Sequence, residues 1–180
     1  MLKFLIPRIA LRDLPPMFVA GLLGSLIAGI YGILHDQITF TISPEYFTKL
    51  KFEQFRWANL SFHDRVFVAE IGFLATWWVG FFAGWFLARR HIPGQVRMQA
   101  WGKIMTGCGI IVLSAMLFGA LGYAYGCWVV PGEFWIDAME RLGIADQPAF
   151  LRVAYIHNGS YLGGLIGLIV ALACVHPQKA

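Results

Sequence analysis

The sequence predicts an all-α membrane protein of four transmembrane helices, built as two parallel two-span repeats with amphipathic segments on the outer face. Three observations carry that reading. The composition is 58% hydrophobic and only 13% charged, against about a quarter charged in soluble domains. The apolar residues gather into four long runs, each near the roughly 17–25 residues that cross a bilayer as a helix. A pattern of polar and small residues in the second run recurs in the fourth.

The first run extends from about Met17 to Leu34, after Pro15-Pro16, and carries no charge. Its start is basic, but no small-x-small cleavage site precedes a mature domain, so it reads as an uncleaved anchor. The second spans about Val66 to Ala88, with one charge at Glu70, and stops at Arg89-Arg90. The third spans about Ile104 to Val130 and ends at Pro131. The fourth spans about Val153 to Val175, with His157 near its start. The 180 residues thus make a single four-span domain, with repeat 1 at about 16–90 and repeat 2 at about 103–176.

Between the spans, Glu45 to Trp57 mixes Tyr46, Phe47, Leu50, Phe52 and Phe55 with Lys49, Lys51 and Arg56. Such a mixture suits an amphipathic, helical piece lying on the outer interface. Glu133 to Leu142 has the same character. Gln37 to Ile42 alternates polar and apolar residues and reads as a short extended element.

Lys and Arg near the span ends set orientation. Lys3, Arg8, Arg12, Arg89, Arg90, Arg97, Lys103 and Lys179 share one side with a single acid, Asp13. The opposite side holds Lys49, Lys51, Arg56, Arg65, Arg141 and Arg152 together with the other nine acids. The dense basic cluster of the short second loop decides. The expectation is a protein of the plasma (inner) membrane with both termini cytoplasmic. The net charge of +4 comes from residues flanking apolar spans, not from a basic face, which excludes nucleic acid as a partner.

An offset of 87 residues lays Arg65-Val66, Glu70 and Gly72 over Arg152-Val153, His157 and Gly159. Upstream the register slips, with Tyr31-Gly32 falling on Tyr125-Gly126 and Pro44-Glu45 on Pro131-Gly132-Glu133. Two halves that both begin inside are parallel repeats about an axis along the membrane normal. Each span also carries small residues at spacing four, such as Gly72, Thr76, Gly80 and Gly84, or Gly159, Gly163 and Gly167. Rows of this kind let helix backbones approach closely within lipid. Cys108, Cys127 and Cys174 fit neither a zinc nor a disulfide spacing and read as apolar packing residues.

Ionisable residues within a span cost about 2.5–3.5 kcal/mol near its centre and so demand a reason. Glu70 and His157 are the two that qualify, at equivalent positions of the halves. His35-Asp36 at the end of the first span, Glu45 and Glu133 lie at the same level, and His63 precedes Glu70 by two turns. The sharper reading is a metal site with Glu70 and His157 as core ligands, joined by His35, Glu45 or Glu133. Mixed imidazole and carboxylate donors without Cys suit Fe, Mn or Zn. The plainer reading is a structural ion pair of Glu70 with His157, or of either with Arg65 or Arg152. Trp77 and Trp78, at mid-span, either fill space against a glycine row or wall a flat, lipidic ligand. His157-Asn158-Gly159-Ser160 contains Asn-x-Ser, but its place in the membrane removes a glycosylation reading.

Three functional classes follow. One is a metalloprotein of the bilayer acting on a lipidic substrate; another is an accessory subunit that homo-oligomerises or joins a larger membrane complex. The third is a small cation or proton transporter. Orientation is testable alone: a cytoplasm-active fluorescent reporter fused after Ala180 should shine, and one inserted into the first loop should stay dark. The reverse pattern would invert the topology.

Overall fold

The computed structural model describes residues 9–60, 63–93 and 96–176; Lys3, Arg8 and Lys179, used above for orientation, lie outside them. Four long helices dominate: α1 (Leu14–Ile42), α2 (Asp64–His91), α3 (Arg97–Trp128) and, after the short α4 (Glu133–Leu142), α5 (Gln147–Cys174). Each of the four is long and apolar enough to span a bilayer, which makes this an integral, all-helical membrane protein.

Local signals explain the boundaries. Pro15 and Pro16 occupy the first turn of α1, where a missing N–H leaves no helical bond unmade. The His63 ring nitrogen Nδ1 accepts the Arg65 amide at 3.3 Å and caps α2. The Asp146 carboxylate accepts the Ala149 amide at 3.0 Å and caps α5, with Pro148 in its first turn. Gly143 ends α4 in the left-handed region at φ 61°, the conformation that glycine adopts without a Cβ penalty.

One expectation is overturned. Residues 37–42 are not extended; they continue α1 to Ile42. Their hydroxyls support the helix, because Thr39 donates to the His35 carbonyl at 3.1 Å and Thr41 to that of Gln37 at 3.0 Å. Arg65 of α2 then grips this turn from the side, donating to the Gln37 amide oxygen and the Thr41 hydroxyl. The segment from Glu45 is helical and two-faced, as its pattern suggests. It forms a π-helical stretch over Tyr46–Lys51 and a short helix at Phe52–Gln54, and Tyr46 and Phe47 point inward and are buried. Glu133–Leu142 is helical as its pattern suggests.

The spans pair as two hairpins, α1 with α2 and α3 with α5, and the hairpins touch one another far less than their own helices do. Glycine sets the intimacy within each. A Cβ on Gly24 would run into the Gly80 carbonyl, and one on Gly32 into that of Gly72. In the second hairpin Gly159 lies against the Phe118 carbonyl and Gly163 against that of Ser114. A hydroxyl bonds across each seam: Thr76 donates to the Ala28 carbonyl at 2.8 Å, and Ser114 to that of Gly163 at 2.7 Å. The crossing heights differ, however. Gly72 meets Gly32, whereas Gly159 meets Phe118 and Gly126 meets Arg152. Tyr31-Gly32 and Tyr125-Gly126 therefore do not occupy a shared packing position.

Two apolar clusters hold the hairpins together at their ends. The lower one joins Met17, Leu87, Ala88, Ile104, Cys108 and Ala171. The upper one joins Phe47, Val68, Met139, Phe150, Val153 and Ala154. Between the clamps the hairpins stand apart. The glycine seams predict sharp asymmetry on substitution. Gly80→Val should lower resistance to thermal or detergent unfolding by about 1–3 kcal/mol or more, as overpacking does. Gly109→Val, where an added Cβ meets nothing within 4 Å, should be near neutral; equal behaviour of the two would contradict the seam.

Candidate metal centre at the upper end of the bundle

Three side chains from two helices converge beneath the upper clamp. His35 and Asp36 come from α1 and His157 from α5, and each offers one ligand atom within 4.8 Å of the others. Asp36 and His157 are 4% exposed each. The His157 Nε2 lies 3.9 Å from Asp36 Oδ1 and 3.3 Å from the Thr39 hydroxyl. The rings of His35 and His157 meet edge to face at 4.8 Å.

Four-residue spacing builds the α1 side of the site. Tyr31, His35 and Thr39 stand one above another on a single helix face, as residues four apart do. The Tyr31 hydroxyl lies 3.4 Å from His35 Nδ1 and donates to Ser160 Oγ, also at 3.4 Å. In the tautomer that protonates Nδ1, His35 donates to Tyr31 and leaves Nε2 an open lone pair; that atom is buried and has no hydrogen-bond partner among the described residues. A ring fixed through one nitrogen and free at the other is how metal-ligating histidines are usually held.

A cover closes the site from above. The Tyr46 ring stacks on His157 at 4.9 Å and 21°, and Phe47 meets the same imidazole edge-on at 6.1 Å. Burial pushes the Tyr46 phenol above its ordinary pKa, so it stays neutral. The Lys51 ammonium lies over the Tyr46 ring at 5.8 Å. Burial lowers the pKa of Lys51, and the charge of Asp36 partly opposes that shift; the lysine thus belongs electrostatically to the site.

The other expected site residues lie elsewhere. Glu70 is half-buried on a side of α2 that exposes Val66, Phe73 and Trp77, and its Oε2 is shielded without a partner among the described residues. It is not in the group with His157. Neither is it paired with Arg65, which reaches α1, nor with Arg152, whose Nε donates to the Pro148 carbonyl at 3.2 Å. Glu133 is exposed in the first turn of α4, where a carboxylate complements the helix dipole. Glu45 accepts the backbone amides of Ala145 and Asp146 at 3.1 and 2.8 Å. It ties the cover to the entrance of α5. His63 serves as the cap described above. Sequence reasoning placed Asp36 at this level without making it a ligand, and it missed Thr39, Lys51 and the ring of Tyr46. The Tyr31/His35/Thr39 spacing was the available signal for the first of these.

Fold and site together define a four-span helical membrane protein with a buried His/Asp/His group. Comparison of the chain with protein-family models, curated proteins and solved structures gave no match.

The cover carries a pH dependence of its own. The Asp146 amide first, and then that of Ala145, hold the Glu45 carboxyl below its ordinary pKa of 4.5. A depressed folded value stabilises the fold above the unfolded pKa and ceases to do so as pH falls through the folded one. Protection of the Ala145 and Asp146 amides, taken relative to their intrinsic exchange rates, should therefore fall below about pH 4.5. Glu45→Gln should show low protection at every pH, and an unchanged acid profile in that variant would contradict the assignment.

Proposed function

We propose that this is a metalloprotein of the bilayer in which His35, Asp36 and His157 hold one divalent ion, Fe, Mn or Zn. The observation that carries the reading is His35 Nε2, a buried ring nitrogen with no partner among the described residues, in a side chain grouped with a second imidazole and a carboxylate. Buried polar atoms without partners are rare and ask for an explanation, a bound ion among them. Metal–ligand bonds of about 2.0–2.2 Å place the donors of a tetrahedral ion roughly 3.3–3.6 Å apart. The His157–Asp36 separation of 3.9 Å is within small side-chain rotations of that. Two imidazoles and one carboxylate leave coordination positions open. This donor set is the one non-haem Fe(II) sites use for redox chemistry and catalytic zinc sites for Lewis-acid chemistry. Tyr31 orients His35, and Tyr46 and Phe47 keep bulk water out.

The reading takes the basic second loop as cytoplasmic, in the plasma (inner) membrane, which puts the centre near the opposite face. It also takes the hairpins as a duplicated unit, supported by a glycine seam in each. A second reading, a structural His157–Asp36 ion pair in an accessory subunit, is favoured by their direct contact at 3.9 Å.

Metal analysis separates the two. Protein purified without chelators should carry close to one ion per chain. His35→Ala, His157→Ala and Asp36→Asn should each reduce it to background, while Glu70→Ala should keep it. Wild-type protein that is metal-free, even after loading, would leave the ion pair as the better account.

A further inference from the structure

Below the centre, between the two clamps, the hairpins border a laterally open cavity of about 260 Å³. A cavity of roughly 150 Å³ suffices for a benzene ring, so there is room for a ring or a single chain. The walls are contributed by all four spans, with Ile27, Val79, Phe82, Ile111, Leu165 and Leu168 among them. Most of the polar groups crowd the upper end, where Tyr31, His35, Asp36, His157, Ser160 and Tyr161 line it. From Asp36 down to Gly24 the α1 wall covers thirteen residues, about 18 Å along the axis at 1.5 Å per step.

The way in is lateral. Tyr46 and Phe47 at 6% and 0% exposure seal the top, while the lining residues Trp78, Phe82 and Leu165 are more than half exposed, at 51%, 52% and 58%. All three lie at mid-span, where their surroundings are lipid. Trp78 is thus a wall residue and not a filler against glycine. A polar head and a long apolar body, reached only from the bilayer, describe an amphiphile.

We propose that the cavity binds a single-chain amphiphile drawn from the bilayer, such as a long-chain or isoprenoid alcohol. Its hydroxyl-bearing head lies beside His35, Asp36 and His157, and its chain lies between α2, α3 and α5. This rests on the metal-centre reading only for the group that the head faces; the cavity and its lateral opening stand without it.

Gly164 provides a test, because it lines the cavity and an added Cβ there meets nothing within 4 Å. Wild-type protein in nanodiscs would be photolysed with hexadecanol carrying a mid-chain diazirine, and the adducts mapped by mass spectrometry. Crosslinks should fall on residues 75–83 and 161–168, be competed by unlabelled hexadecanol, and drop several-fold in Gly164→Leu. That variant should retain its metal content and thermal stability; Gly164→Ala should label nearly as wild type. Uncompeted labelling spread over outward residues such as Leu113 and Leu121 would overturn the proposal. So would equal labelling of the cavity by a two-chain diazirine phosphatidylcholine. Metal-loaded protein without competed crosslinks would remove the amphiphile and leave the centre. Metal-free protein that still gives them would do the reverse.

Discussion

Everything in this molecule follows from backbone contact between paired helices. Lipid offers no hydrophobic drive to bring spans together, so close packing must come from small residues and hydrogen bonds. Gly24 against Gly80 and Gly32 against Gly72 make one tight hairpin, and Gly159 and Gly163 against Phe118 and Ser114 make the other. Side chains large enough to fill space are thereby expelled from the seams to the hairpin exteriors. The hairpins join through apolar clusters at their ends, and the middle stays open. A cavity lined by all four spans is the geometric remainder of two tight pairs meeting loosely.

The same contact decides which polar residues meet. Glu70 and His157 each stand two positions before the glycine that touches the hairpin partner, Gly72 and Gly159. Two positions are roughly 200° around a helix, so both side chains turn away from their own hairpin. His157 then finds α1, with His35, Asp36 and Thr39 facing it. Glu70 finds no comparable group: its flank of α2 exposes Val66, Phe73 and Trp77 at 44%, 38% and 41%. The two positions that the 87-residue offset aligns thus have unequal surroundings, and the upper part of α3 is open on its outer side. Leu117, Leu121 and Tyr125 there are all more than half exposed.

Much of the architecture was legible in hydropathy. The four spans were found to within a few turns, since an apolar run bounded by Pro, Arg or Gly is a local property. Residues 37–42 were misread because alternation of polar and apolar residues ignores threonine hydroxyls bonding back along their own helix. The inward turn of Tyr46 and Phe47 was also illegible, since an aromatic pair looks alike on an interface and over an imidazole. For the site, sequence spacing named His35 and His157. It could not distinguish Asp36 from Glu70, because that choice depends on helix rotation fixed by glycine contacts far along the chain.

The central claim is that one ion bridges the hairpins through two imidazoles and a carboxylate. X-ray absorption on the zinc-loaded protein tests it most directly. The account predicts a first shell of nitrogen and oxygen at about 2.0–2.2 Å, with outer-shell scattering from two imidazole rings that falls to one in His35→Ala reloaded at excess metal. A shell of oxygen alone, without imidazole scattering, would contradict it.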